Sequence, residues 1–418
     1  MDQSKLNQFI AEDVTERFLR YVQVDTQARP GHLALEPSSP GQMVLLKTLH
    51  DELLALGVQA VELTKEGYVY GTIAASAQNN AEPITLLAHV DTAPDCSGKA
   101  VKPRVIKNYQ GEVISYPDDA SVSLCPKISP QLSSCIGDDI IVASGLTLLG
   151  SDDKAGVAEI MTLAATLLAN PDLPHPEIRI CFTSDEEIGQ GINGIDFSKL
   201  SKRCITLDAG EPGELEYECF DAWGFVLEFI GVSTHPGTAY QRMINAANVA
   251  AEFVASLPVQ EKPETTKERE GFYHIVELQG NIEKAAVRGI LRDFDPAKNQ
   301  SRISVIKQQC LAFEAKYPGL KIDLYFKQQY QNMYEILKHE TKLLDLCRAA
   351  IADAGLKSIE TPIRGGTDGA LLSVKGFPCP NLCSGQAQIH ARTEWTSVKR
   401  LAKCVEVLLN LCRRTAHE

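Results

Sequence analysis

The sequence predicts an α/β protein with a smaller α+β domain inserted into it. Strand-like runs alternate with helical stretches over residues 1–215, a strand-rich segment occupies 216–331, and the alternation resumes over 332–418. A chain of 418 residues also exceeds the size at which one hydrophobic core keeps growing, so two domains are the default.

The elements follow in order. Val14, Phe18, Tyr21 and Val22 share one helical face, and after a loop at Pro37–Pro40 a second amphipathic helix spans Gln42–Leu56 and stops at Gly57. Tyr68–Ala74 reads as a strand. Ile84–Val90 is a nearly continuous apolar run, as expected of a central strand covered on both faces. Residues 95–145 are rich in Pro, Ser, Asp and Lys with little periodicity, which predicts a long irregular excursion. A helix over Gly156–Asn170 and short buried strands at Ile178–Phe182 and Cys204–Asp208 complete the first block.

In the insert, strands are expected at Val226–Val232, Tyr273–Leu278, Gly289–Phe294 and Lys321–Phe326, with helices at Ala246–Leu257 and Ser304–Lys316. About 110 residues is an ordinary size for a compact domain. A helix over Glu340–Ala354, the loop Arg364–Gly369, a short run Pro380–Cys383 and a C-terminal helix then return the chain to the α/β pattern.

Composition narrows the function classes. With 44% apolar and 23% charged residues the chain has the make-up of a soluble globular protein. A net charge of −13 opposes a general nucleic-acid or anionic-membrane binder, because phosphates would be repelled. No apolar run approaches the roughly 18 residues needed to span a bilayer, and Met1–Lys5 lacks the apolar core of a signal peptide. The twelve cysteines carry no CxxC pair, which suits reduced, mostly buried thiols of a cytoplasmic protein.

Polar residues gather at the ends of the predicted strands. His89 and Asp91 close the Ile84–Val90 run and point the same way, because side chains alternate with period two. Asp152 and Asp153 precede a helix, Glu186 and Glu187 follow a strand within the acidic run Asp185–Glu187, Asp208 ends the next strand, and His390 lies after a late one. In α/β sheets ligands collect at the carboxyl ends of strands, and two histidines with several acids are the donor types of a hydrolytic zinc, cobalt or manganese centre. Plainer readings exist for each: Asp152 could cap its helix, Asp208 could be a turn residue, and the acids could form a metal-free structural cluster. Gly189–Gly194 matches GxGxxG, but three carboxylates stand where a dinucleotide's phosphates would approach and no helix opens there, so that fingerprint is rejected.

Several longer stretches carry a family resemblance. Ala88–Asp95, Thr147–Gly156, Ser184–Gly189, His235–Ala239, Ile290–Asp295 and Pro362–Ala370, in this order and over nearly the whole chain, resemble the M20 family of zinc metallopeptidases, and within it the aminotripeptidase branch. The resemblance implies a zinc-peptidase-like α/β catalytic domain over 1–215 and 332–418, with 216–331 as a lid or dimerisation domain. It implies two Zn2+ per subunit, with Co2+ or Mn2+ as substitutes: one held by His89, Asp152 and Asp208, the other by Asp152, Glu187 and His390. Asp91 would orient His89, and Glu186 would be the general base. His235 would reach the substrate oxyanion, in dimeric relatives from the neighbouring subunit. Arg292 and Arg364 would anchor the substrate carboxylate, although a planar guanidinium serves a structural pair equally well.

The implied activity is removal of the N-terminal residue from tripeptides by a homodimer; the alternative is hydrolysis of another small amide, a dipeptide or N-acyl amino acid. A catalytically silent scaffold on the same fold would have no physical reason to keep five ligands and Glu186. Two segments depart from the family pattern, Asp208-Ala209-Gly210 and Ser384–Trp395, so the walls around the metal ligands differ.

Overall fold

Strand Ile84–His89 is buried at every position, and the architecture is arranged around it. The computed structural model describes residues 3–32, 34–76 and 81–418. In the larger sheet, Ile84–His89 lies between Ile178–Thr183 and Arg203–Ala209, parallel to both, and Asn381–Cys383 adds a fourth parallel strand beyond Arg203–Ala209. Antiparallel strands flank this block: Val69–Ile73 and then Gln59–Leu63 on one side, Leu215–Glu216 on the other. The four parallel strands therefore end at the same edge, where a ligand site is expected.

Helices cover the sheet. Ser151–Ala169 is buried from Ser151 through Leu167, because it packs on strands Ile84–His89 and Arg203–Ala209 and on helices Gln3–Tyr21 and Val398–Ala416. One glycine permits the helix–strand approach: a Cβ on Gly156 would stand 2.3 Å from the carbonyl oxygen of Leu207. Helix Pro40–Leu56 ends where the sequence predicts. Gly57 adopts φ 88° and its N–H reaches the carbonyls of Leu53 and Leu54, a left-handed cap that costs other residues more than glycine.

The chain divides into two units of dense internal contact, Met1–Tyr217 with Ile336–Thr361 and Thr367–Glu418, and Glu218–Glu335 with Pro362–Gly366. The sequence reading places the breaks at 215/216 and 331/332; the return of Pro362–Gly366 to the smaller unit, where Ile363 bridges to Cys219, leaves no mark in local periodicity. The smaller unit is an antiparallel sheet in the order Phe272–Gly280, Lys284–Asp293, Asp221–Ile230, Lys321–Tyr330. Its helices Ala246–Ser256 and Pro296–Lys316 bury Phe253 and Phe313 against Phe225, Leu227 and Phe229.

Two local expectations differ from the structure, and one strand goes unanticipated. Residues 95–145 are not simply irregular: Ile140–Val142 pairs with Arg104–Ile106 on one side and Trp395–Ser397 on the other, and Tyr109, Tyr116, Leu124 and Leu132 join Trp395 in a core of their own. The helix expected from Ser304 begins at Pro296, with Asp295 accepting from the Ala297 N–H as its cap. Gln59–Leu63 is an edge strand for which no element is expected: only Val61 and Leu63 are half-buried against the core, too short an alternation to register as a strand. All twelve cysteines are free and all but Cys96 and Cys125 are buried. Among the described residues no helix is long and apolar enough to cross a membrane.

Candidate metal centre

The carboxyl edge of the parallel strands brings His89, Asp152, Asp208, Glu187 and His390 together within the larger unit. Two triads result, His89–Asp152–Asp208 and Asp152–Glu187–His390, each with its donor atoms within 4.8 Å of one another. Asp152 belongs to both. Its Oδ1 lies 3.1 Å from His89 Nε2, and its Oδ2 lies 3.1 Å from His390 Nε2. Asp208 Oδ1 approaches His89 Nε2 to 3.7 Å, and Glu187 Oε2 approaches His390 Nε2 to 3.1 Å.

Asp152 is available for this because its neighbour does the capping. Asp152 (φ −84°, ψ 105°) and Asp153 (φ −121°, ψ 34°) both depart from helical dihedrals. Asp153 Oδ1 accepts from the Gly156 N–H at 3.2 Å, and its Oδ2 accepts from the His89 N–H at 3.2 Å. Asp153 thus ties the helix start to the end of the central strand, and the helix-cap role open to Asp152 falls to it instead.

Asp91 holds two backbone groups and stands beside the His89 ring. Its two oxygens accept from the backbone N–H groups of Glu186 and Glu187, each at 3.1 Å, while Oδ1 stands 3.3 Å from His89 Nδ1. The carboxylates of Glu186 and Glu187 therefore sit on a turn pinned to the strand that carries His89. Asp185, the third acid of the run, is buried and turned away: it accepts from Ser38 N–H at 2.6 Å, from Gln42 Nε2 at 2.7 Å and from Ser38 Oγ. It anchors the start of helix Pro40–Leu56, in a left-handed conformation of φ 59°.

The electrostatics are those of a site short of positive charge. Burial, then the charge of Asp152, push Glu187 up to about 8. Burial followed by neighbouring acids raises Glu186. His390 moves up to about 11: burial opposes its charge, and hydrogen bonds to Asp152 and Glu187 outweigh that. His89 is raised by its contacts with Asp152, Asp208 and Asp91 against the same burial penalty. Asp152 stays below the carboxylate range despite burial, because both imidazoles donate to it. Glu187 Oε1 is buried with no hydrogen-bond partner among the described residues. Unpaired buried acceptors and mutually repelling carboxylates fit a cation well, since a divalent ion supplies both the missing partner and the missing charge.

Sequence reasoning overlooks two further residues here. Gln386, in the segment that departs from the family pattern, donates to the backbone carbonyl and Oδ1 of Asp208 at 3.2 and 3.4 Å. Glu394 accepts from the turn that bears Asp152. The discarded glycine motif has a different use: a Cβ on Gly191 would stand 2.1 Å from Asp368 Oδ1, so that glycine admits a buried carboxylate.

The three residues expected at the substrate all lie in the smaller unit. His235 is exposed, its Nδ1 accepting from the Gly237 N–H at 3.1 Å. Arg292 lies over the Tyr330 ring and donates to the carbonyls of Leu291 and Trp223 at 2.9 and 3.4 Å. Arg364 donates to the carbonyls of Glu268 and Glu270 at 2.6 and 3.0 Å and lies over the rings of Phe220 and Phe272.

The profile of peptidase family M20/M25/M40 matches residues 150–414. The chain belongs to this peptidase family. Relatives called peptidase T extend the match: that of Geobacillus sp. (strain WCH70) is 40% identical over 96% of this chain and 98% of its own. Peptidase T of Listeria monocytogenes serotype 4b (strain CLIP80459) is 41% identical over the same shares. Among solved structures, aminopeptidase PepT from Bacillus cereus has the same fold at TM-score 0.75 and 21% identity, over 97% of this chain and 99% of that one. The Bacillus subtilis YXEP protein, described as a dinuclear metal binding peptidase of the M20 family, matches at TM-score 0.63 and 14% identity over 97% and 98%.

Proposed function

We propose that this M20 peptidase is a di-zinc aminopeptidase that removes the N-terminal residue from tripeptides. The observation that carries the proposal is the division of one carboxylate, Asp152, between two histidine-containing triads. Two-metal hydrolytic sites use such a bridge to hold the ions about 3.5–4 Å apart. His89, Asp152 and Asp208 would hold one zinc, and Asp152, Glu187 and His390 the other, with Co2+ or Mn2+ as substitutes. Bound there, the two ions would polarise the scissile carbonyl and bring the pKa of a shared water to about 7.

The chain's own residues do the rest. Glu186 takes the proton of the attacking water and returns it to the leaving amine, a shuttle suited to a carboxylate whose pKa burial raises. Asp91 fixes the orientation of His89 and keeps Glu186 beside Glu187 through their backbone N–H groups. His235 is assigned to the substrate oxyanion, and the smaller unit to lid and homodimer contacts. Arg292 and Arg364 are assigned to the substrate carboxylate, Arg364 exchanging the Glu268 and Glu270 carbonyls for it.

Tripeptide specificity is supported by the peptidase T relatives at about 40% identity. The test is to assay the zinc-loaded protein on Ala-Ala-Ala, Ala-Ala and N-acetyl amino acids side by side. The proposal expects the highest kcat/KM on the tripeptide; a highest value on the acylated substrate refutes the aminopeptidase assignment.

A further inference from the structure

One buried carboxylate next to the centre has more donors than any metal ligand there. Glu394 is 1% exposed and takes four hydrogen bonds from four consecutive residues. Oε2 accepts from the N–H of Leu149 at 2.7 Å and of Gly150 at 2.8 Å; Oε1 accepts from Ser151 Oγ at 2.7 Å and from the Asp152 N–H at 3.0 Å. All four donors belong to the turn that ends in the shared ligand. Glu394 itself lies four residues after His390, on the loop carrying the histidine that meets Asp152 Oδ2.

We propose that Glu394 is a positioning residue that presets Asp152 and His390 for two cations, fixing the Leu149–Asp152 turn before any metal arrives. The inference rests on the di-metal reading of the same site. Asp152 must offer Oδ1 to one triad and Oδ2 to the other, so a small rotation of its backbone spoils both at once. Gly150 has φ 85° and neither Asp152 nor Asp153 is helical, so the helical ladder does not hold this turn. The Glu394 carboxylate replaces that ladder, using up three backbone N–H groups that would otherwise be buried without partners. Because the same side chain is covalently close to His390, it also sets the distance between the two ligands.

Glu394→Gln keeps the shape and offers one acceptor oxygen, so an NH2 group must face either the Leu149 and Gly150 N–H pair or the Ser151 and Asp152 pair. Asp138→Asn is the control. Asp138 is also buried, and it accepts from the N–H groups of Asp139 and Lys399 and from Ser397 Oγ, none of them a ligand.

The experiment titrates metal-free protein with zinc and follows amide hydrogen exchange over residues 149–153 and Tm in parallel. We expect the amides of Leu149, Gly150 and Asp152 to be as protected in metal-free wild type as in the loaded protein. Glu394→Gln should speed their exchange and weaken zinc binding 10–100-fold, the usual effect of removing an outer partner of a ligand. Asp138→Asn should lower Tm and leave zinc affinity unchanged. Wild-type zinc affinity in Glu394→Gln overturns the proposal, as does a wild-type turn that becomes protected only when zinc binds. If Glu394→Gln does not fold, the wild-type exchange comparison decides alone. A wild type that binds neither zinc, cobalt nor manganese refutes the di-metal reading and takes this role with it, even where the turn is protected.

Discussion

His89 and His390 meet the same carboxylate from opposite kinds of backbone. His89 ends a fully buried central strand, is itself 3% exposed, and has buried Asp91 at its second ring nitrogen. His390 stands in a loop with φ 60°, its side chain is 37% exposed, and the acid near its second nitrogen, Asp95 at 3.4 Å, is 62% exposed. One half of the centre is thus built by the sheet, and the other is brought up to it by a loop that Glu394 fastens. The sheet-built half has its geometry paid for by the core; the loop-built half depends on a few hydrogen bonds.

Removing what the halves share should abolish the difference between them. Asp152→Ala is expected to take bound zinc from two ions to none and activity to background; retention of one tightly held ion would mean that the triads are independent. Glu186→Ala leaves both halves in place and removes only the base. It should lower kcat by about 10²–10⁴-fold with zinc content intact. Full activity, or loss of all metal, would show that Glu186 has another role.

The outer partners sharpen the contrast. Asp91→Asn should weaken zinc binding about 10–100-fold, because a buried neighbour both orients its histidine and holds the Glu186–Glu187 turn. Asp95→Asn should change it less than about fivefold, since exposed ion pairs contribute little. Equal effects in the zinc titration would contradict the division into a buried and an exposed half.

Protons supply the smallest and most gradual effect. Without a cation, burial and the charge of Asp152 push Glu187 up, and, against burial, contacts with Asp152 and Glu187 push His390 up, so the pair holds protons that metal ligation must displace. Zinc loading at pH 7 should release protons, and apparent affinity should fall as pH drops from 8 to 6. Calorimetry in buffers of different ionisation enthalpy checks this; a buffer-independent heat would contradict it.

Legibility in the sequence follows the same division. The apolar run before His89 announces a strand covered on both faces, and polar residues at successive strand ends point to one edge. Asp153 taking the cap, Asp185 anchoring Ser38 and Gln42, and the partner of Glu394 are not readable, because these bonds depend on side-chain direction at a turn. The core formed by Tyr109, Tyr116 and Trp395 joins residues more than 250 positions apart, which no local period reports. Glu394 could have been suspected: a glutamate beside Trp395, four residues after a candidate ligand, is an unusual charge at the start of a buried strand.

Everything in the proposed centre turns on Asp152 holding two cations at once. Anomalous X-ray scattering at the zinc edge, from crystals of zinc-loaded protein, tests it most directly. Two peaks about 3.5–4 Å apart are expected, one beside His89 and Asp208, the other beside Glu187 and His390, with an oxygen of Asp152 on each. A single fully occupied peak, or two peaks without Asp152 between them, would contradict it.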